Sequence, residues 1–120
     1  MNTQDSFSKT ETHRAFPAGQ TIFQEGDPGD VLYIVIEGEV TILIDNQPLE
    51  TLGPGDILGE MALIEDRPRS ATAFAATDCL LTPVTRQHFL TLIQRTPMFA
   101  LQVMRVLAQR LRQTNEQRRL

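Results

Sequence analysis

The seven glycines of this 120-residue chain all lie between Gly19 and Gly59. They separate short runs of apolar and β-branched residues, and several stand next to proline or aspartate in turn-like groups such as GDPGD and GPGD. Glycine supplies the backbone conformations that tight turns require, so this pattern is typical of short β-strands joined by tight turns. We therefore predict that the first half of the chain is β structure.

The longest of these runs, VLYIVIEGEVTILID, occupies residues 31–45. It predicts a β-hairpin that bends at Glu37 and Gly38. In its second half, alternation places three apolar residues on one side of a strand, and that side is predicted to face the core: Val40, Ile42 and Ile44.

The second half of the chain changes its hydrophobic period. Two further strands, SATAFAA and CLLTPV, are followed from Thr85 by a helical pattern that Thr96 and Pro97 interrupt, so that a second helix runs to about Gln117. Strands followed by helices predict a mainly β fold, an antiparallel jelly roll (β-roll) with C-terminal helices. We expect a flexible segment over residues 1–12 and a single domain over 13–120, with the β-roll at about 13–85 and the helices at about 86–118.

Charge is distributed unevenly between these two parts. Residues 1–85 hold 4 of the 11 basic residues and 14 of the 15 acidic ones, whereas residues 86–120 hold seven arginines against Glu116 alone. The parts therefore carry about −10 and +6 charges and should attract each other. Because the arginines are interleaved with apolar residues, a solvated helix face that packs on an acidic body is favoured over a nucleic-acid or membrane contact.

The sequence also argues against several classes of protein. No apolar run approaches the length of a membrane span or resembles a signal peptide, and the single cysteine, Cys79, cannot form an internal disulfide, so a cytoplasmic location is expected. The two histidines, His13 and His88, have no second ligand at metal spacing. No metal site is predicted, and a cupin-like jelly-roll enzyme, which needs one, is disfavoured.

The segment GEMALIEDRPRSATA, residues 59–73, does not read as a plain connection between strands. EMALI predicts one short helical turn, whose amides would point out of its N-terminus towards an anion. Gly59 permits close backbone approach, and Arg69 offers a guanidinium for a bidentate contact. An arginine, oriented amides and the carboxylate of Glu60 together suit a phosphate joined to a hydroxyl-bearing group, such as a sugar phosphate.

This segment resembles the phosphate-binding cassette of the cyclic nucleotide-binding domain family, which includes catabolite activators, regulatory subunits of cyclic-AMP-dependent protein kinase and cyclic-nucleotide-gated channels. The order of predicted strands, turns and helices is similar over nearly the whole chain. The resemblance implies that Arg69 binds the cyclic phosphate and Glu60 the ribose 2′-hydroxyl. It also implies that the backbone amides of Ala62 and Ser70 complete the phosphate site, while Gly59 allows close approach to the ribose.

The resemblance extends less densely to the base. Ile42 and Leu49 match apolar positions that line the base pocket in activator-like members, and Thr114 and Asn115 fall where those members place polar contacts to adenine. Other interpretations stay open at this point: Ile42 and Leu49 would be apolar in any barrel, and Thr114 would be an exposed helix residue. In the same way, Glu60 and Arg69 would pair with each other as a structural ion pair.

The function implied is that of a cyclic nucleotide sensor rather than an enzyme, with no cofactor other than its ligand. Cyclic AMP is favoured, and cyclic GMP stays open because some cyclic-GMP-binding relatives carry a hydroxyl residue at the position of Ser70. The ligand is expected to reposition the C-terminal helices as a lid, with output passing to a protein partner; a homodimer is an open possibility.

The end of the chain departs from the activators. RQTNEQRR is polar throughout and no recognition helix follows it, so we expect no direct DNA binding and a sensor without its own output domain. The alternative is the truncated sensor domain of a Crp/Fnr-type transcription regulator, or of a cyclic-nucleotide-regulated transporter or channel.

Overall fold

A computed structural model describes residues 13–118, with side chains as far as residue 109. Its elements follow one another as eight strands interrupted by one short helix, and then two longer helices. They are β1 (Arg14–Phe16), β2 (Thr21–Phe23), β3 (Val31–Glu37), β4 (Val40–Ile44), β5 (Gln47–Leu52), β6 (Ile57–Leu58), α1 (Glu60–Glu65), β7 (Thr72–Ala75), β8 (Cys79–Thr85), α2 (Arg86–Arg95) and α3 (Pro97–Arg118).

The strands form two four-stranded sheets, in the orders β1-β8-β3-β6 and β2-β7-β4-β5. Each recorded pairing is antiparallel. The predicted fold class, a mainly β antiparallel roll with C-terminal helices, is therefore confirmed. Strands β1 and β6, three and two residues long, were not predicted.

The prediction of a hairpin at Glu37 and Gly38 is wrong. Gly38 does turn the chain, with φ of 91°, but β3 pairs with β8 and β6 whereas β4 pairs with β5 and β7, so the turn carries the chain from one sheet to the other. A tight turn within a hairpin and a tight turn between two sheets have the same local chemistry, and only the long-range pairing of the strands distinguishes the two. The hairpin lies instead between β4 and β5, where Asp45 and Asn46 both adopt positive φ, as a two-residue type I′ turn requires.

The core of the β-roll lies between the two sheets. Val40 and Ile42 face it as predicted, whereas Ile44 at the end of the strand is 38 % exposed. Cys79 packs in the core as a small apolar residue, and burial raises the pKa of its thiol. The core cluster consists of Phe16, Tyr33, Val35, Val40, Ile42, Leu52, Leu58, Ala73, Ala75, Cys79 and Leu81.

The chain divides into two compact units, Met1–Arg86 and Gln87–Leu120. In the second unit, the rings of Phe89 and Phe99 meet edge to face at 5.7 Å, and Val103 is buried. Leu101 and Met104, on the same helix, are exposed. No helix in the described part of the chain is long and apolar enough to cross a membrane.

Candidate functional site

Helix α1 begins directly after Gly59, whose φ of 79° and ψ of 10° are in the left-handed region that favours glycine. The helix has only six residues and ends at Glu65, and the residue that caps it, Asp66, is also left-handed. Glu60 and Leu63, one helical turn apart, are fully buried, whereas Met61 and Ile64 are exposed. The apolar pattern of this short helix therefore directs the Glu60 side chain into the protein.

Arg69 lies in the loop between α1 and β7, three residues before the strand begins. Its backbone is bound to the turn that contains GDPGD. The amide of Gly26 donates to the carbonyl of Arg69 at 2.8 Å, and the amide of Arg69 donates to the carbonyl of Asp27 at 2.8 Å. This pair of hydrogen bonds fixes where the arginine side chain leaves the main chain.

The guanidinium of Arg69 is almost completely buried, since the residue is only 5 % exposed. Its Nη1 donates to the carbonyl of Gly59 at 3.1 Å and its Nη2 to the carbonyl of Val31 at 2.8 Å. The Phe23 ring lies under it, with the guanidinium carbon 4.2 Å from the ring centroid. The remaining Nε is buried and makes no hydrogen bond within the described residues.

Burial lowers the pKa of Arg69, because desolvation disfavours the charged form. Three groups raise this pKa: the Tyr33 phenol when it is ionised, and the carboxylates of Asp30 and Asp27. The group stays protonated at neutral pH, since an arginine titrates far above that range. Arg69 is thus a desolvated cation that is held by backbone dipoles and an aromatic face.

The alternative interpretation made Glu60 and Arg69 a structural ion pair. The ion pairs recorded within 4.0 Å among the described residues join Arg67 to Glu65 and Arg86 to Asp66. Arg69 takes part in neither.

The predicted phosphate-site residues converge only in part. Gly59 and Arg69 are hydrogen-bonded, and Ala62 lies close by, because a Cβ placed on Gly29 would meet both the Ala62 Cβ at 2.7 Å and the Arg69 Nε at 2.8 Å. Ser70 follows Arg69 and is exposed.

The four residues predicted to contact the base have different settings in the structure. Ile42 belongs to the core cluster, and Leu49 on β5 is 42 % exposed. Thr114 and Asn115 fall on α3 beyond residue 109, so their side chains lie outside the described residues. The role of these four residues at a base stays a prediction.

Sequence reasoning missed three groups that touch Arg69: the Phe23 ring, the Val31 carbonyl and Gly29. GDPGD was interpreted as a turn, and Gly26 within it does have the left-handed φ of 91° that a turn glycine provides. Gly29 does not, so its small size serves the close approach of Arg69 instead. A glycine in a turn-like group gives no sign in the sequence of which purpose it serves.

A surface depression of about 540 Å³ lies beside the turn that binds the Arg69 backbone. Its walls include Glu25 and Asp45 together with Gln24, Gly26, Asn46 and Thr72. Two carboxylates make it a poor place for an anion, so the guanidinium of Arg69, and not this depression, marks the candidate site.

Comparison with known proteins gives the family of this chain. The profile of the cyclic nucleotide-binding domain matches residues 13–96, which include both sheets and the Arg69 loop. The chain belongs to the cyclic nucleotide-binding domain family. The predicted family is thereby confirmed.

Particular relatives cover most of the chain. It is 38% identical over 107 residues to the cyclic AMP receptor protein of Thermus thermophilus, a match that covers 85% of this chain and 50% of the relative. The crystal structure of the catabolite activator protein of that organism has a TM-score of 0.80 at 37% identity, covering 88% of this chain and 52% of the other. The EAL enzyme Bd1971, in a cGMP-bound form, has a TM-score of 0.67 at 39% identity, covering 88% and 29%. This chain thus spans half the length of the receptor protein that it matches.

Proposed function

We propose that this chain is a regulatory domain, without catalytic activity, that binds a cyclic nucleotide at the Arg69 loop. The observation that carries the proposal is the state of Arg69, a cation that is 5 % exposed and bound by carbonyls, in the segment that resembles the family's phosphate-binding cassette. A guanidinium has five N–H donors, and two of them are used on the carbonyls of Gly59 and Val31. Donors therefore remain for an anionic oxygen.

Each neighbouring group has a role in this proposal. The cyclic phosphate monoanion neutralises a guanidinium that has lost its hydration, and the planar fork of arginine suits phosphate oxygens. The carboxylate of Glu60 accepts a hydrogen bond from the ribose 2′-hydroxyl. The amides of Ala62 and Ser70 donate to the phosphate, and Gly59 allows the ribose to approach the backbone.

Cyclic AMP is the ligand that we favour. This choice is supported by the relative that is similar over 85% of this chain, which is named a cyclic AMP receptor protein. The cGMP-bound EAL enzyme, together with the exposed hydroxyl-bearing Ser70, keeps cyclic GMP as the alternative. In either case Ile42, Leu49, Thr114 and Asn115 are the residues that we assign to the base.

The output passes, in this proposal, through α2 and α3. Apart from Arg86, the first residue of α2, these helices fall in a compact unit of their own, which supports a shift between two populations when ligand binds. Exposed apolar residues on α3, among them Met98, Leu101 and Met104, support a protein partner, and a second copy of the chain is one candidate. Hydrogen exchange of the α2 and α3 amides with and without nucleotide measures the shift, and light scattering measures the oligomeric state.

Titration calorimetry with cyclic AMP and cyclic GMP tests the site directly. Truncating one partner of a buried charged hydrogen bond costs about 2–5 kcal/mol, so Arg69→Ala should weaken binding at least about thirtyfold. Arg67→Ala is the matched control, because Arg67 is two residues away with its side chain 76% exposed, and it should bind as the wild type does. A wild type that binds neither nucleotide at millimolar concentration, or equal affinities for the two variants, contradicts the proposal.

A further inference from the structure

Residues 23–31, FQEGDPGDV, touch Arg69 at five points, and the cassette roles above involve none of these residues. The Phe23 ring lies against the guanidinium, and the Val31 carbonyl accepts from its Nη2. The Gly26 amide and the Asp27 carbonyl bind its backbone, and Gly29 lies where a larger residue would overlap it. One continuous segment therefore surrounds the arginine from its main chain to its tip.

The Phe23 ring is itself held from behind by the core. It stacks on Tyr33, with centroids 6.3 Å apart and planes 24° apart, and Tyr33 in turn meets the edge of Phe16 at 6.2 Å. The pairing of β2 with β7 is irregular between Thr21 and Phe23, and such irregularities redirect side chains. An aromatic face fixed in this way orients a planar cation and shields it from water.

Gly29 leaves room for the guanidinium because it has no side chain. A Cβ at this position would lie 2.8 Å from Arg69 Nε and 2.9 Å from Arg69 Cζ, closer than real contacts allow. The guanidinium thus occupies the space that any other residue at position 29 would fill.

We propose that residues 23–31 form a cradle that orients the Arg69 guanidinium before the ligand arrives, with Phe23 and Gly29 as its positioning residues. This inference rests on the proposed function, in which Arg69 binds the phosphate. A long side chain that is already ordered and desolvated loses less freedom on binding than a mobile one. The cradle therefore sets the affinity for the nucleotide without touching it.

The test compares Phe23→Leu, Phe23→Tyr and a control, Phe74→Leu, at a half-buried phenylalanine on β7. Calorimetry should show that cyclic AMP binds up to about tenfold more weakly to Phe23→Leu, because a guanidinium that the ring no longer holds must be ordered on binding, and that its affinity for the other two variants is nearly unchanged. In the ligand-free protein, the Arg69 Nε–H resonance should carry a ring-current shift that Phe23→Leu removes and Phe23→Tyr retains. A purely structural role for Phe23 would lower thermal stability and leave both readouts unchanged.

The outcomes separate the two proposals. A wild type that binds neither cyclic nucleotide overturns the proposed function and, with it, the role of the cradle. A wild type that binds while Phe23→Leu binds equally well overturns the cradle alone. If Phe23→Leu does not fold, Gly29→Ala tests the same cradle from another contact, and wild-type affinity in that folded variant overturns the proposal.

Discussion

Replacing Gly29 with alanine adds one methyl group at a place where the structure has no room for it. Alanine can adopt the backbone conformation of this position without strain, because the φ of Gly29 is outside the left-handed region. At a position where the new Cβ met no other atoms, the change would stabilise the protein by about 0.4–1 kcal/mol, because alanine reduces the conformational entropy of the unfolded chain. Here the new Cβ would lie 2.7 Å from the Cβ of Ala62 and 2.8 Å from the Nε of Arg69, so one of them must move.

The magnitude follows from what must move. Overpacking a buried site by a methyl group costs about 1–3 kcal/mol. If the guanidinium gives way, it also loses a charged hydrogen bond to Gly59 or Val31, which is worth about 1.5–3 kcal/mol. Allowing for the smaller gain from the unfolded state, Gly29→Ala should lower the free energy of unfolding by about 2 kcal/mol. Cyclic nucleotide affinity should fall with it.

Gly53→Ala is the control, because Gly53 also lacks a left-handed φ and a Cβ there would meet nothing within 4 Å. Urea unfolding of both variants measures the difference, and calorimetry of both measures the loss of affinity. If Gly29→Ala is as stable as Gly53→Ala and binds the nucleotide as tightly, the close approach of Arg69 does not explain the glycine, and the reasoning is refuted.

Three other predictions concern separate parts of the β-roll. A charged hydrogen bond of about 1.5–3 kcal/mol from the ribose 2′-hydroxyl to Glu60 should make the wild type prefer cyclic AMP over its 2′-deoxy analogue by about ten- to hundredfold. Glu60→Gln should reduce this preference, and calorimetry with both ligands measures the change. Burial raises the pKa of Cys79, so its contribution to stability is full below the ordinary thiol pKa and is lost as the pH rises through the folded-state value; urea unfolding at alkaline pH should show this decline, and Cys79→Ala should not. The Arg86–Asp66 pair is exposed, so a double-mutant cycle should give a coupling of less than about 1 kcal/mol.

The features that the sequence predicted correctly are those with a local signature. The change of hydrophobic period after Thr85 marked the two long helices, and the break at Pro97 marked the boundary between them. The EMALI run marked the short helix α1. Such patterns depend on neighbours three or four positions away, which a single sequence displays directly.

The sheet assignment failed because it depends on residues far apart in the chain. β3 finds its main partner in β8, about fifty positions later, and a glycine turn after β3 gives no indication of this. β1 and β6 are too short to show alternation, and they exist because β8 and β3 provide paired edges. Local patterning therefore predicted strands but not their partners.

The cradle shows the same limit at the scale of one side chain. Arg69 was singled out by its motif, whereas Phe23, Gly29 and Val31 lie some forty positions earlier and had no motif in common with it. Their chemistry nevertheless explains why this arginine suits an anion. A carboxylate in contact with it would orient the guanidinium but would also neutralise it, and a ligand would have to break that ion pair.

Carbonyl oxygens and an aromatic face orient the cation while leaving its net charge in place. Asp27 and Asp30 contribute from a distance, raising the pKa of Arg69 against desolvation without forming an ion pair within 4.0 Å. The buried guanidinium is thus kept charged and oriented, and neither ion pair recorded among the described residues includes it. In the proposed function, a bound phosphate supplies the negative charge that such a site lacks, so its binding energy should depend on the cradle remaining free of contacting carboxylates. Introducing one, as in Phe23→Glu, should therefore weaken nucleotide binding more than Phe23→Leu does.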